Sequence, residues 1–103
     1  MQHIMVYITV ENMDEAQMLG KELVSSNLAA CANIHRIDSV YRWGCKIVED
    51  KEVVLILKTI SEMFDELKET VRSLHSYDLP CICWNISGDE DYLQWVSDET
   101  RKL

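Results

Sequence analysis

The chain has 103 residues, 48% of them hydrophobic, and its 10 basic and 18 acidic residues give a net charge of −8. This length predicts one domain, residues 1–103, with a modest core. The acidic balance disfavours nucleic acid as a partner, because affinity for a phosphate backbone comes largely from Lys and Arg.

The first ten residues contain no Lys or Arg, and their apolar run is too short for a signal peptide or a membrane span. We therefore expect a cytoplasmic protein with no membrane partner. Because that compartment is reducing, the four cysteines, Cys31, Cys45, Cys81 and Cys83, are expected to be free thiols.

Residues 3–10 are typical of a β-strand, and the helix that follows has recognisable ends. Asn12 with Glu15 predicts a capping box at its start. Asn27 is expected to close it in the left-handed conformation. The apolar stripe between these ends is Ala16, Leu19 and Leu23.

From Ala30 the pattern becomes extended, but its apolar positions change parity. They are first Ala30, Ala32 and Ile34, and then Ile37, Tyr41 and Trp43. This change predicts a bulge or bend between His35 and Asp38, because one inserted residue moves every later side chain to the opposite face. Gly44 predicts a turn before a strand from about Lys46 to Thr59, in which residues 49–52 form a solvated section.

An unbroken apolar block, residues 53–57, lies within this long strand. Side chains alternate along a strand, so Val53, Leu55 and Leu57 point one way while Val54 and Ile56 point the other. Helices packed on one side of the sheet would leave the other side uncovered. The pattern therefore predicts an oligomer.

The rest of the chain supplies a helix, a strand and a final helix. Thr59 with Glu62, or Ser61 alone, is predicted to cap a helix with the stripe Phe64, Leu67, Val71 and Leu74. Pro80 ends the connection, the alternating Ile82, Trp84 and Ile86 predict a strand, and Asp89 is a predicted cap of the last helix. The order is that of an α+β, ferredoxin-like βαββαβ sandwich with a C-terminal helix.

Several segments, in the same order, resemble the CutA divalent-cation-tolerance family. They are residues 28–34 (LAACANI), 39–43 (SVYRW) with Gly44 and Lys46, 57–59 (LKT), 75–80 (HSYDLP) and 92–95 (YLQW). The resemblance implies a ferredoxin-like subunit in a tight homotrimer, with sheets inward and helices outward, as in PII-type signalling proteins. It also implies a link to divalent metal ions, with copper or another divalent ion as the expected ligand and no required cofactor.

The chain departs from the family pattern at four places. Gly44 directly follows Trp43, Ser76 follows the histidine, and Cys81 follows Pro80. Ile8 and Thr9 occupy the region where some family members carry a copper-associated cysteine.

His75 matches the histidine implicated in the family, and Cys81 and Cys83 are the thiols nearest to it in sequence. Imidazole and thiolates together favour Cu(I) or Zn(II). The structural alternative for His75 is contact with the last carbonyls of the preceding helix. The two cysteines lie two strand positions apart, or about 6.5 to 7 Å between Cα atoms, which is wide for clasping one ion without a further ligand.

A second candidate site combines aromatic residues with one lysine. The aromatic residues could line an intersubunit cleft that binds a small anionic ligand, with Lys58 as a polar contact, or could serve only as interface packing; they are Tyr41, Trp43, Tyr77, Tyr92 and Trp95. Cys31 is expected to be a packing residue and Cys45 an exposed one.

No local Cys/His signature indicates catalysis, so an enzyme is not expected. Two functional classes remain. The first is a CutA-like trimer that binds a divalent ion, and the second is a ligand-sensing or scaffolding trimer of PII-like type with no direct role for metal.

Overall fold

Four strands and three helices make up the computed structural model, which describes residues 2–74 and 81–100, and the backbone alone for 81–84. In chain order the elements are β1 (His3–Val10), α1 (Met13–Ser25), β2 (Cys31–Trp43), β3 (Lys46–Ile60), α2 (Phe64–Leu74), β4 (Cys81–Asn85) and α3 (Glu90–Glu99). A short 3₁₀ turn, Ser61–Met63, leads into α2. The predicted βαββαβ order with a C-terminal helix is confirmed.

The strands form one antiparallel sheet in the order β2-β3-β1-β4. One face of this sheet, which we call the first face, packs on α1 and α2. Its core contains alternate residues of β1 and β3 together with the predicted stripe of α1 and the centre of α2. These residues are Ile4, Val6, Ile8, Val10, Ala16, Leu19, Leu23, Val53, Leu55, Leu57, Leu67 and Val71.

The predicted ends of α1 and α3 are confirmed by hydrogen bonds. The Asn12 side chain accepts from the backbone N–H of Glu15 at 2.8 Å. The Glu15 carboxylate accepts from the N–H of Glu11 at 3.3 Å, so it reaches one residue further back than in a standard capping box. Asn27 has φ 61°, and the Asp89 side chain accepts from the N–H of Tyr92 at 2.8 Å.

The predicted cap of α2 is wrong. The Thr59 hydroxyl donates instead to the carbonyl of Leu28 at 2.7 Å, and the Ser61 hydroxyl donates to the Glu62 side chain at 3.1 Å. The 3₁₀ turn that precedes α2 has no side-chain cap. Thr59 is fully buried, so its hydroxyl satisfies a carbonyl in the interior and is not available to a helix end.

The predicted bulge in β2 is also wrong, because β2 pairs with β3 without interruption from Cys31↔Lys58 to Trp43↔Lys46. The change of parity has another cause. From Ile37 onwards every β2 residue is exposed or half-buried, on either face, so no core requires a fixed apolar side there. Residues 49–51 are solvated as predicted, but Glu52 is only 7% exposed.

The second face of the sheet carries His3, Cys31 and Ile60 at one end, and α3 covers that end. His3 Nε2 lies 2.7 Å from Ser97 Oγ, and Cys31 Sγ lies 3.7 Å from the Tyr92 hydroxyl. Ile60 is fully buried. The expectation that only another subunit could cover this face therefore needs correction, since the chain's own C-terminal helix covers part of it.

The alternation predicted within residues 53–57 is confirmed by the pairing. Leu55 belongs to the core of the first face, whereas Ile56 lies opposite Asn33 and Tyr7 on the second face and is half-buried. Val54 also lies on the second face but is already fully buried in the single chain, between Thr9 and His35 on the neighbouring strands. Ile56 is thus the more exposed of the two.

Candidate functional site

A cluster of polar and aromatic side chains lies where α3 crosses the second face. The β-pairing sets Cys31 directly opposite Lys58, and the ammonium group of Lys58 donates to the side-chain oxygen of Asn33. Cys31 contacts Tyr92, whose ring centroid lies 5.6 Å from that of Trp95. We call these five residues the α3-end cluster.

Contact with this cluster makes the Tyr92 hydroxyl a weaker acid. Burial raises the pKa of Tyr92 above its ordinary value of 10.0, and the hydrogen bond to Cys31 raises it further. The phenol therefore keeps its proton across the physiological range. The cluster offers an ammonium, a phenol and an amide beside a thiol, a set suited to holding a polar or anionic group.

The β2–β3 hairpin carries the other aromatic pair at its tip. Tyr41 and Trp43 are 37% and 54% exposed, and both lie on the second face. The Tyr41 hydroxyl donates to Asp50 at 3.4 Å. Partial burial, followed by the charges of Asp50 and Glu52, raises the pKa of Tyr41.

The tip is a two-residue turn in which Gly44 has φ 58° and Cys45 has φ 66°. Positive φ at both central positions is the requirement of a type I′ turn, whose twist suits a hairpin. Cys45 is exposed, as predicted, whereas Cys31 is half-buried.

One chain does not bring the predicted cleft residues together. Lys58 and Trp95 lie at the α3 end, while Tyr41 and Trp43 lie at the hairpin tip. Val48, which is paired with Tyr41, is ten residues from Lys58, or about 33 Å along the strand. Tyr77 lies outside the described residues.

The predicted metal ligands fall mostly outside the described part of the structure. His75 is not described, and of Cys81 and Cys83 only the backbone is placed, with Cys81 paired to Ile8 and Cys83 to Val6 in β4. Among residues 2–74 and 85–100, whose side chains the structure describes, no three His, Cys, Asp or Glu side chains are grouped so that they could hold a metal ion. The metal site stays a prediction.

Sequence reasoning missed three contacts of this region: Asn33 with Lys58, Tyr92 with Cys31, and His3 with Ser97. The pairing of Cys31 with Lys58 could have been found by counting back from the turn at Gly44 and Cys45, because a two-residue hairpin fixes the register of both strands. The contacts of α3 had no comparable sequence signal.

Residues 4–99 match the family described as CutA1 divalent ion tolerance protein. The chain belongs to the CutA1 family. A curated CutA1 relative, the divalent-cation tolerance protein CutA of Pyrococcus horikoshii, is 44% identical over 96% of this chain and 99% of its own length. The family description names ion tolerance and no reaction.

Solved CutA1 structures share the fold. The divalent cation tolerance protein of Thermus thermophilus has a TM-score of 0.91 and 40% identity, and the match covers 95% of this chain and 98% of that one. The CutA of Archaeoglobus fulgidus, described as a periplasmic divalent cation tolerance protein, has a TM-score of 0.90 and 36% identity over 94% and 97% of the two chains. Within the described part of our chain, no helix is long and apolar enough to cross a membrane.

Proposed function

We propose that this chain is a cytoplasmic, trimeric CutA1 protein that contributes to divalent metal ion tolerance by binding copper or another divalent ion, without turning over a substrate. The observation that carries the proposal is the family match across residues 4–99. Its P. horikoshii relative, named for divalent-cation tolerance, is similar over nearly the whole chain. The cytoplasm is our assignment for this chain, whereas the A. fulgidus relative is described as periplasmic.

The chemistry of the donors supports His75, Cys81 and Cys83 as the ligands. Imidazole and thiolate suit Cu(I) and Zn(II), and thiolates bind these ions more readily than they bind hard cations. Cys81 pairs with Ile8 and Cys83 pairs with Val6, so the two cysteines are alternate residues of an extended strand, β4. At about 7 Å between their Cα atoms, they require a further donor to complete a site, and His75 is the donor nearest in sequence.

Calorimetric titration of the reduced protein with Cu(I) and with Zn(II) tests this assignment. We expect His75→Ala, and separately the double variant Cys81→Ser/Cys83→Ser, to weaken binding by at least about tenfold, because each removes a direct ligand. His35→Ala and Cys45→Ser are the matched controls, since they remove an exposed histidine and an exposed thiol elsewhere in the chain. Equal, weak binding by the unaltered protein and by His75→Ala would refute the ligand assignment.

A further inference from the structure

Lys58 is a half-buried cation among mostly apolar neighbours on the second face of the sheet. It lies directly opposite Met5 of β1 and Cys31 of β2. The nearest residues of its own strand on that face are Ile56 and Ile60. An ammonium group in such surroundings loses part of its hydration, and a nearby negative charge stabilises it more than it would in open water. The position therefore favours an anionic partner.

The side chains of residues 2–74 and 85–100 do not supply that negative charge. The ammonium group of Lys58 donates to the side-chain oxygen of Asn33, which is a neutral acceptor. No carboxylate of the described side chains lies within ion-pair distance of it, although the chain has 18 acidic residues and only 10 basic ones. An ammonium group has three N–H donors, so two of them remain for a group from outside the chain.

The rest of the α3-end cluster adds donors and no carboxylate. Because the oxygen of the Asn33 amide accepts from Lys58, its NH₂ group is left to donate elsewhere. Cys31, opposite Lys58, has its Sγ 3.7 Å from the Tyr92 hydroxyl, which is a further donor. Burial is the main cause of the raised pKa of both Tyr41 and Tyr92, but the charges of carboxylates contribute only at Tyr41. The cluster is therefore a place where an anion would meet donors without repulsion from an adjacent acid.

We propose that the α3-end cluster binds a small organic carboxylate. Lys58 and Asn33 hold the carboxylate group, and the rings of Tyr92 and Trp95 contact the apolar body of the ligand. These two rings are 42% and 41% exposed although their centroids lie only 5.6 Å apart, so they present an aromatic surface beside the polar groups. A few polar groups next to an aromatic wall are typical of small-molecule sites. The inference goes beyond the proposed function and requires neither the metal nor the oligomer, because a single chain contains all five residues of the cluster.

A carboxylate is favoured over a phosphate as the ligand. One ammonium group beside one amide matches the single charge and the two oxygens of a carboxylate. Phosphate sites commonly use arginine or several backbone N–H groups, and the cluster contains no arginine. The net charge of −8 also repels a dianion more strongly than a monoanion. A bare inorganic ion, moreover, would leave the aromatic rings without a contact.

Titration of the reduced, metal-free protein with four probes tests the ligand class. The probes are benzoate, its neutral analogue benzamide, acetate and inorganic phosphate, in a low-salt buffer that contains no carboxylate or phosphate. Calorimetry or the shifts of backbone amide NMR signals measure the dissociation constants. We expect benzoate to bind at least about tenfold more tightly than benzamide, which lacks the charge, and than acetate, which lacks the ring. Trp95→Ala should weaken the binding of benzoate and leave that of acetate unchanged.

Substitution of Lys58 tests the site. Lys58→Met keeps an unbranched apolar side chain but removes the charge, and we expect it to weaken benzoate binding at least about tenfold. Lys68→Met is the matched control, because it makes the same change at a half-buried lysine of α2 and should leave binding unaltered. Asn33→Ala, at an exposed position, should weaken binding severalfold, and it tests the site even if Lys58→Met does not fold.

Three results would overturn the inference. They are an absence of binding at about 10 mM benzoate, benzoate binding that Lys58→Met and Asn33→Ala both leave unchanged, and tighter binding of inorganic phosphate than of benzoate. The outcome is independent of the proposed function, since the titration with Cu(I) or Zn(II) tests different residues. A protein that binds metal but not benzoate would retain the proposed function and lose only the carboxylate site.

Discussion

Tyr92 shows how one side chain links α3 to the rest of the molecule. Its backbone N–H is capped by Asp89, its hydroxyl contacts Cys31 of β2, and its ring packs on Trp95. The nearby Ser97 hydroxyl donates to the carbonyl of Leu93 at 3.2 Å, and it lies 2.7 Å from His3 Nε2. Both interactions attach α3 to strands that are far away in sequence, and they hold the helix on the second face.

Because the pKa of Tyr92 is raised in the folded chain, the free energy of unfolding is expected to fall at alkaline pH. The cause is first burial of the phenol and then its hydrogen bond to Cys31, both of which favour the neutral form in the folded chain. A folded-state pKa above the unfolded one adds stability that is fully present below about pH 10 and is lost as the pH rises through the folded value. We expect the difference in unfolding free energy between the unaltered protein and Tyr92→Phe to be constant up to about pH 10 and to shrink above it.

Denaturant unfolding at a series of alkaline pH values, at one fixed protein concentration, measures this difference. Cys31→Ala removes the hydrogen bond but leaves the phenol partly covered by the sheet, so it should reduce the effect without abolishing it. Parallel pH profiles for the unaltered protein and Tyr92→Phe would show that the phenol does not lose its proton more readily on unfolding.

At the scale of elements, local signals predicted more than long-range ones. The caps Asn12 and Asp89 and the left-handed Asn27 depend on neighbours within four residues, so the sequence contains all the information that they need. Thr59 was misassigned because its partner, the carbonyl of Leu28, lies 31 residues away.

The hairpin between β2 and β3 shows a second limit of sequence patterns. A change of apolar parity indicates a bulge only where one face is buried, and the distal half of this hairpin is exposed on both faces. Similarly, the sequence marked Tyr41, Trp43, Lys58 and Trp95 as one cleft, but it could not show that a single chain separates them by the length of the sheet.

The turn of this hairpin has a residue that is poorly suited to its conformation. Cys45 has φ 66°, a region that costs an L-residue about 1–2 kcal/mol relative to glycine. Cys45→Gly removes that cost and adds flexibility to the unfolded chain, so we expect a net gain of up to about 1 kcal/mol in unfolding free energy. Cys45→Val should destabilise, because a β-branched side chain tolerates this region least. Denaturant unfolding should give a free energy of unfolding that decreases from Cys45→Gly to the unaltered protein to Cys45→Val. A glycine variant less stable than the unaltered protein would show that Cys45 is not strained.

For the whole molecule, the decisive feature is that the two sides of β3 have different roles. Leu55 is fully buried against the helices of its own chain, whereas the neighbouring Ile56 is half-buried on the second face. Two adjacent substitutions can therefore separate folding from assembly. Leu55→Asp introduces a charge into the core of the single chain and should prevent folding at any protein concentration.

Ile56→Asp should instead leave a folded chain that assembles poorly. If the second face lies inside a trimer, the new carboxylate is buried without a partner, and we expect the dissociation constant to rise by more than about a hundredfold. Light scattering reports the mass, and circular dichroism reports whether the chain is still folded. Met18→Asp makes a comparable change at a residue of α1 that is 43% exposed, and it should alter neither measurement. An Ile56→Asp protein with the mass of the unaltered oligomer would show that this side of the sheet does not face another copy.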